Sequence, residues 1–255
     1  MKAAVCYAFD QPLVIDELEL DPPQTGEVKV RVVACAICHS DVHQIRGDWS
    51  AKVPLVAGHE ASGVVEEVGP GVTNVKVGDH VVMSLLRSCG RCYYCSKGYT
   101  HLCEGDFALQ RETRLHNRRG EPIAQSIKTA AFAEYAVVDQ SQLVPIPKDV
   151  PLDSASLLAC GVITGLGAVV NTAKVHTGES VAVMGIGGVG LNALQGAYLS
   201  GAQPIIALDL LENKLQAARD FGATHTINVA KEADPAGVVQ TLTGGRGGDH
   251  ALLTV

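Results

Sequence analysis

A chain of 255 residues, 47% hydrophobic and 18% charged, can bury one large or two ordinary cores. Its formal net charge of -7 argues against a nucleic-acid surface, which is built from clustered Lys and Arg. The longest apolar run, residues 157–170, is too short and too interrupted by Gly and Thr to span a bilayer, and the N-terminus meets Asp10 too soon for a signal-peptide core. A cytoplasmic protein with neither a membrane nor a nucleic acid as partner is expected.

From residue 1 to about 150, short Val-rich segments alternate with turn signals. Residues 27–33, 63–68 and 79–83 read as strands, punctuated by Gly69-Pro70-Gly71 and Gly78-Asp79, which predicts an antiparallel, barrel-like β domain. At the end of one such strand lies Cys38-His39-Ser40-Asp41-Val42-His43, a dense run of metal-capable and proton-transferring groups, and Gly58-His59-Glu60 follows. Next, Cys89, Cys92, Cys95 and Cys103 form Cys-x-x-Cys-x-x-Cys with the fourth Cys after seven further residues. With no export signal these are read as metal ligands or buried thiols, not disulfides. Four thiolates suit a closed tetrahedral structural zinc in a lobe at about 87–106; a metal-free cluster and an iron-sulfur site are the rival readings. Arg111, Arg114, Arg118 and Arg119 then form a basic cluster, read as a solvated loop in preference to an anion clamp.

Past Pro145, Pro147 and Pro151 the pattern changes, and residues 151–255 form the second expected domain. The apolar 157–170 run reads as a buried helix and carries Cys160. Residues 180–184 read as a strand, an Ala- and Leu-rich helix follows, and 204–209 form the next strand, making a βαβ unit. A helix at about 211–221 and strands near 225–228 and 249–255 complete four strands. A doubly wound dinucleotide fold carries six in the order 3-2-1-4-5-6, so an incomplete Rossmann sheet, cut short at the C-terminus, is expected.

Between the first of these strands and its helix sits Gly185-Ile186-Gly187-Gly188-Val189-Gly190. That context turns a weak Gly-x-Gly-x-x-Gly match into a dinucleotide fingerprint. The glycines allow the tight turn, close approach of pyrophosphate, and helix packing, while the helix N-terminus favours phosphate. Asp209, nineteen residues after Gly190 at the end of the second strand, suits the adenosine ribose hydroxyls and would repel a 2'-phosphate, so NAD is preferred to NADP.

Taken together, the Cys-His-Ser-Asp run, Gly-His-Glu, the cysteine quartet, the distal Cys160-Gly161 and the glycine fingerprint occur in one order along essentially the whole chain. In this the sequence resembles the zinc-dependent alcohol dehydrogenases of the medium-chain family. The resemblance implies a GroES-like β-barrel at 1–150 followed by the NAD-binding Rossmann domain at 151–255. It also implies two zinc ions per chain. Two cysteines and one histidine are the established catalytic zinc ligands of alcohol dehydrogenase, which assigns Cys38, His59 and Cys160, with Glu60 close to the metal and Asp41 orienting His59; either acid could instead be a structural hydrogen-bond acceptor. By the same resemblance Ser40 and His43 relay the alcohol proton outward. His39 meets the cofactor pyrophosphate, Lys214 the ribose and Thr164 the nicotinamide, and Trp49 and Leu85 line an apolar substrate slot. Cys6 and Cys35 read as inert core thiols.

The expected activity is hydride transfer between a primary alcohol/aldehyde pair and NAD. A hydroxymethyl-thiol (formaldehyde) dehydrogenase, with the arginine segment holding an anionic thiol carrier, is the close alternative. An inactive zinc-binding fragment is the distant one, because the family's homo-oligomer interface would lie in the missing C-terminal part.

Overall fold

The β-branched segments of the first half pair as their alternation demands. In the Glu27–Ala36 strand, Val28 and Val30 are buried while Arg31 and Val33 face outward, the period-2 pattern of a strand with one covered face. This strand lies second in a five-stranded antiparallel sheet in the order Tyr135–Asp139, Glu27–Ala36, Glu60–Val68, His80–Met83, Leu143–Ile146. Val28, Val30, Ala61, Val65, Val81, Met83, Ala136 and Val138 fill one core between its strands. A second, six-stranded sheet runs Val14–Glu17, Lys2–Cys6, Leu55–Val56, Pro122–Gln125, Leu115–His116, Glu19–Leu20. The computed structural model describes residues 1–255, and these sheets belong to the first of its two units, Met1–Cys160.

That unit continues past Pro145, Pro147 and Pro151 to Cys160. Leu152–Ala159 packs Ala155 and Ala159 on Val82, and the Leu152 carbonyl accepts from the Ser62 hydroxyl. The helical segment is therefore held to the β-sheet, which brings Cys160 with it. The expected buried helix at 157–170 is broken at Cys160, and Leu157, Leu158, Ile163 and Val170 are exposed. No single helix is long and apolar enough to cross a membrane.

The second unit, Gly161–Val255, has a four-stranded parallel sheet in the order His225–Asn228, Ile205–Asp209, Val181–Met184, His250–Leu253. Numbered along the chain this is 3-2-1-4, as a doubly wound nucleotide fold begins. Ile205–Asp209 is buried at every position, as expected of a central parallel strand covered on both faces. Val181, Val183, Ile205 and Ala207 pack against Ala193, Leu194 and Ala197 of the Gly188–Leu199 helix and Leu215 and Ala218 of the Glu212–Asp220 helix.

Candidate metal centres and dinucleotide turn

Cys38 lies two residues past the end of the Glu27–Ala36 strand and is the N-cap of the His39–Arg46 helix. Its amide donates to Asp41 Oδ2 (3.1 Å), which ties the first helical turn shut. Asp41 is fully buried, and its other oxygen, Oδ1, accepts from the Gly58 amide (2.9 Å) and faces His59 Nδ1 (2.9 Å). One carboxylate therefore holds the cysteine and the histidine in register across a sequence gap of 21 residues.

Donor atoms of Cys38, His59, Glu60 and Cys160 all lie within 4.8 Å of one another. Two features test whether a metal belongs there. His59 is fully buried, yet its Nε2 makes no hydrogen bond. A buried polar atom without a partner is rare and calls for an explanation such as an ion. The donor set of two sulfurs and one imidazole is also that of a catalytic zinc.

The electrostatics agree. The Cys160 and His59 side chains, with help from Ser40, outweigh burial and draw the Cys38 thiol down to about 3. Burial opposes charge on His59, but Asp41 and Cys38 outweigh it and push its pKa up to about 9. A cation bound there would replace the His59 proton, since metal ligands must be deprotonated.

The second cluster is the quartet Cys89, Cys92, Cys95 and Cys103, again within 4.8 Å. Backbone amides point at the sulfurs: Cys89 N and Gly105 N at Cys103 Sγ (both 3.2 Å), Cys92 N at Cys89 Sγ (3.3 Å) and Cys95 N at Cys92 Sγ (3.5 Å). Amide donors favour thiolate over thiol, and those of Cys95 and Glu104 bring Cys92 down to about 6, whereas burial pushes Cys95 up to about 12. The arrangement fits a closed four-sulfur site.

In the second unit, Gly185 takes φ +91°, where a side chain would be strained, and a Cβ on Gly190 would sit 2.0 Å from the Gly185 carbonyl oxygen. Cβ atoms at Gly187 and Gly188 would meet nothing within 4 Å, so the turn opens onto clear space at the helix N-terminus, the shape a pyrophosphate requires. Asp209 accepts from the Ile186 amide at Oδ2 (2.7 Å) and the Leu211 amide at Oδ1 (2.9 Å), with Lys214 Nζ at 3.8 Å. Burial opposes its ionisation, but those amides and Lys214 hold its carboxyl below the usual range.

Of the other predicted residues, Ser40 is half-buried beside Cys38, His39 is exposed and Thr164 is exposed in the second unit. His43 meets His39 edge-on (4.7 Å), stacks on Trp49 (4.9 Å) and pairs through Nδ1 with Asp48 Oδ2 (2.8 Å). Asp48 carries no sequence signal beyond following Gly47. The arginine cluster differs from the solvated loop expected of it. Arg114 is 2% exposed and grips Glu27 with both Nε (2.9 Å) and Nη2 (2.7 Å), because Glu27 begins a core strand and its buried charge needs a partner. Arg111 and Arg118 pair with Asp106 and Glu17 at the surface.

A β-barrel unit with a two-sulfur, one-imidazole cage and a separate four-sulfur site, joined in one chain to a glycine-turn nucleotide fold, defines a zinc-dependent oxidoreductase. Comparison with known proteins gives the same answer. Residues 24–148 match the alcohol dehydrogenase GroES-like domain and residues 188–255 the zinc-binding dehydrogenase domain. The NDMA-dependent alcohol dehydrogenase of Amycolatopsis methanolica is 41% identical over 259 residues, covering 100% of this chain and 69% of that protein. The S-(hydroxymethyl)glutathione dehydrogenase of Saccharomyces cerevisiae is 43% identical over 234 residues, covering 89% and 61%. The crystal structure of benzyl alcohol dehydrogenase from Acinetobacter calcoaceticus superposes with a TM-score of 0.89 at 36% identity, covering 100% of this chain and 70% of that one. The chain belongs to the zinc-dependent alcohol dehydrogenases of the medium-chain family.

Proposed function

We propose that this chain interconverts a primary alcohol and its aldehyde with NAD as hydride carrier, with zinc held by Cys38, His59 and Cys160 and a second, structural zinc by the quartet. The observation that carries the reading is the orphaned Nε2 of buried His59 inside the cysteine cage. Bound there, zinc supplies a Lewis acid that makes an alcohol hydroxyl far easier to deprotonate. The chain's own residues do the rest. Asp41, accepting at Nδ1, keeps Nε2 as the donor atom toward the ion and fixes the ring plane. Glu60, 5% exposed, brings a carboxylate oxygen within 4.8 Å of the other donor atoms. The Ser40 hydroxyl takes the departing proton, and His43 passes it to water through the ring nitrogen that Asp48 does not occupy.

Asp209 supports NAD over NADP, since its carboxylate would face a 2'-phosphate as a like charge. Cofactor use varies in the family, as the name of the A. methanolica relative shows, so the assignment rests on this residue. For the substrate, half-buried Leu85 and the exposed Trp49 indole suit an apolar alcohol. Three of the four clustered arginines are already engaged with carboxylates, which favours a simple alcohol over an anionic thiol adduct.

Elemental analysis combined with NADH production from ethanol, benzyl alcohol and hydroxymethyl-thiols tests the whole reading. Two zinc ions per chain with NADH formed from the apolar alcohols is the expected result. A single zinc, lost on replacement of Cys95 rather than Cys38, would refute the cage; two zincs without turnover would leave a metal-binding protein and refute the dehydrogenase.

A further inference from the structure

None of the chemistry above uses residues 126–131, yet they hold the most strained backbone of the first unit. Ile127, Lys128 and Ala130 take φ of +47°, +65° and +60°, a region that residues with a Cβ enter rarely and β-branched ones least of all. Such conformations persist where surrounding contacts over-determine them, and they gather at functional sites. Here the contacts are directional. The Lys128 carbonyl accepts from Arg87 Nη2 (3.0 Å) and Gln142 Nε2 (3.2 Å), and Arg87 Nε donates to Gln142 Oε1 (2.7 Å). Arg87 is 4% exposed and Gln142 fully buried. One residue, Ser88, separates Arg87 from the first cysteine of the quartet, and its amide donates to Ser141 Oγ (3.0 Å).

The strained residues deliver one side chain to the peptide that precedes His59. Thr129 is fully buried, and its Oγ1 donates to the Gly58 carbonyl (2.7 Å), which also accepts from the Ala131 amide (2.9 Å). That carbonyl shares a rigid peptide plane with the His59 amide nitrogen. On the other side of Gly58, its amide is held by Asp41 Oδ1, the oxygen that also faces His59 Nδ1. The backbone entering His59 is thus clamped from both sides, by Asp41 at one peptide and by Thr129 at the next.

We propose that Thr129 is a positioning residue for His59, and that residues 126–131 are braced by Arg87 and Gln142 so that the placement of His59 Nε2 is set from the side of the chain that carries the cysteine quartet. This rests on the reading of Cys38, His59 and Cys160 as a metal cage. Thr129 touches no donor atom of that cage; it acts by fixing the peptide on which the histidine is mounted.

The test loads the quartet with zinc and the cage with cobalt(II) in wild type, Thr129→Val, Thr129→Ser and Arg87→Lys. Each protein is read by its cobalt absorption spectrum, by chelator competition and by a thermal melt. Thr129→Val keeps the shape and removes the donor, so cage affinity is expected to fall about tenfold or more, the lower end of what supporting residues contribute to metal binding. The cobalt bands shift, zinc is retained in the quartet, and Thr129→Ser restores both affinity and spectrum. A Thr129→Val protein that binds cobalt as tightly as wild type with the same spectrum overturns the proposal, whatever its melting temperature. Should that variant not fold, Arg87→Lys decides: a shifted cobalt spectrum supports the brace and an unchanged one overturns it. Failure of wild type to take cobalt into the cage would instead refute the cage itself.

Discussion

Replacing Asp41 by Asn changes almost no volume and isolates what the carboxylate does. Asp41 accepts three N–H groups in a fully buried site: Gly58 N (2.9 Å) and His59 Nδ1 (2.9 Å) at one oxygen, Cys38 N (3.1 Å) at the other. An amide offers one oxygen and one NH2. With the oxygen facing Gly58 and His59, the NH2 is forced against the Cys38 amide, so that amide loses its acceptor and the new NH2 finds none, at about 1–3 kcal/mol each. A stability loss of about 2–6 kcal/mol follows, a large share of the roughly 5–15 kcal/mol of a typical fold. The effect on metal is separable. Loss of the negative charge behind His59 makes Nε2 a poorer ligand, and supporting carboxylates of this kind are worth about 10–100-fold in affinity. Chelator competition on the purified variant, with the quartet as internal reference because Asp41 touches none of its residues, reads that loss directly. Cage affinity within about twofold of wild type, beside a clearly lowered melting temperature, would show Asp41 to be a fold-stabilising acceptor only and refute its role at the metal.

Three further outcomes follow from the same geometry. Metal uptake by the cage must expel the proton from His59, whose pKa burial would lower but Asp41 and Cys38 push up to about 9; apparent affinity should therefore rise with pH from pH 7 by at least about tenfold per unit, and lose the histidine's share of that slope above about 9. A competition profile without slope in that window contradicts the assignment. Arg114→Ala leaves Glu27 charged and unpaired in the core and should cost about 3–5 kcal/mol, whereas Arg118→Ala at the exposed Glu17 pair should cost no more than about 1 kcal/mol; denaturant melts that rank them equally would refute the distinction. Asp209→Asn removes the charge that disfavours a 2'-phosphate, so the ratio of NAD to NADP affinity should fall, as fluorescence titration with the reduced cofactors measures; an unchanged ratio would place the discrimination elsewhere.

What the sequence disclosed follows the distance over which each feature is written. The cysteine quartet lies within fifteen residues, and the glycine turn sits between one strand and one helix, so local spacing alone indicates their shapes. The strand patterns at 27–33, 180–184 and 204–209 likewise appear as strands, since burial on one or both faces leaves a readable apolar rhythm. The cage is different: its residues stand at 38, 59, 60 and 160, and only the resemblance joined them before the structure brought them within 4.8 Å. The burial of Arg114 escapes a local reading for the same reason: its partner Glu27 lies 87 residues away, and a charge run looks solvated until a buried acid needs it.

The segment at 126–131 was invisible for a stronger reason. Ile is among the last residues that local rules would place at positive φ, so every propensity pointed away from the conformation found at Ile127. The local preference is overruled by bonds to the Lys128 carbonyl from buried Arg87, 41 residues away, and buried Gln142, 14 residues away, and the segment they hold reaches the peptide that carries His59. A sequence that obeys local rules nearly everywhere departs from them where distant contacts must fix a functional atom. The departure itself, a β-branched residue in a left-handed turn, is therefore the mark by which a positioning element can be told from an ordinary loop.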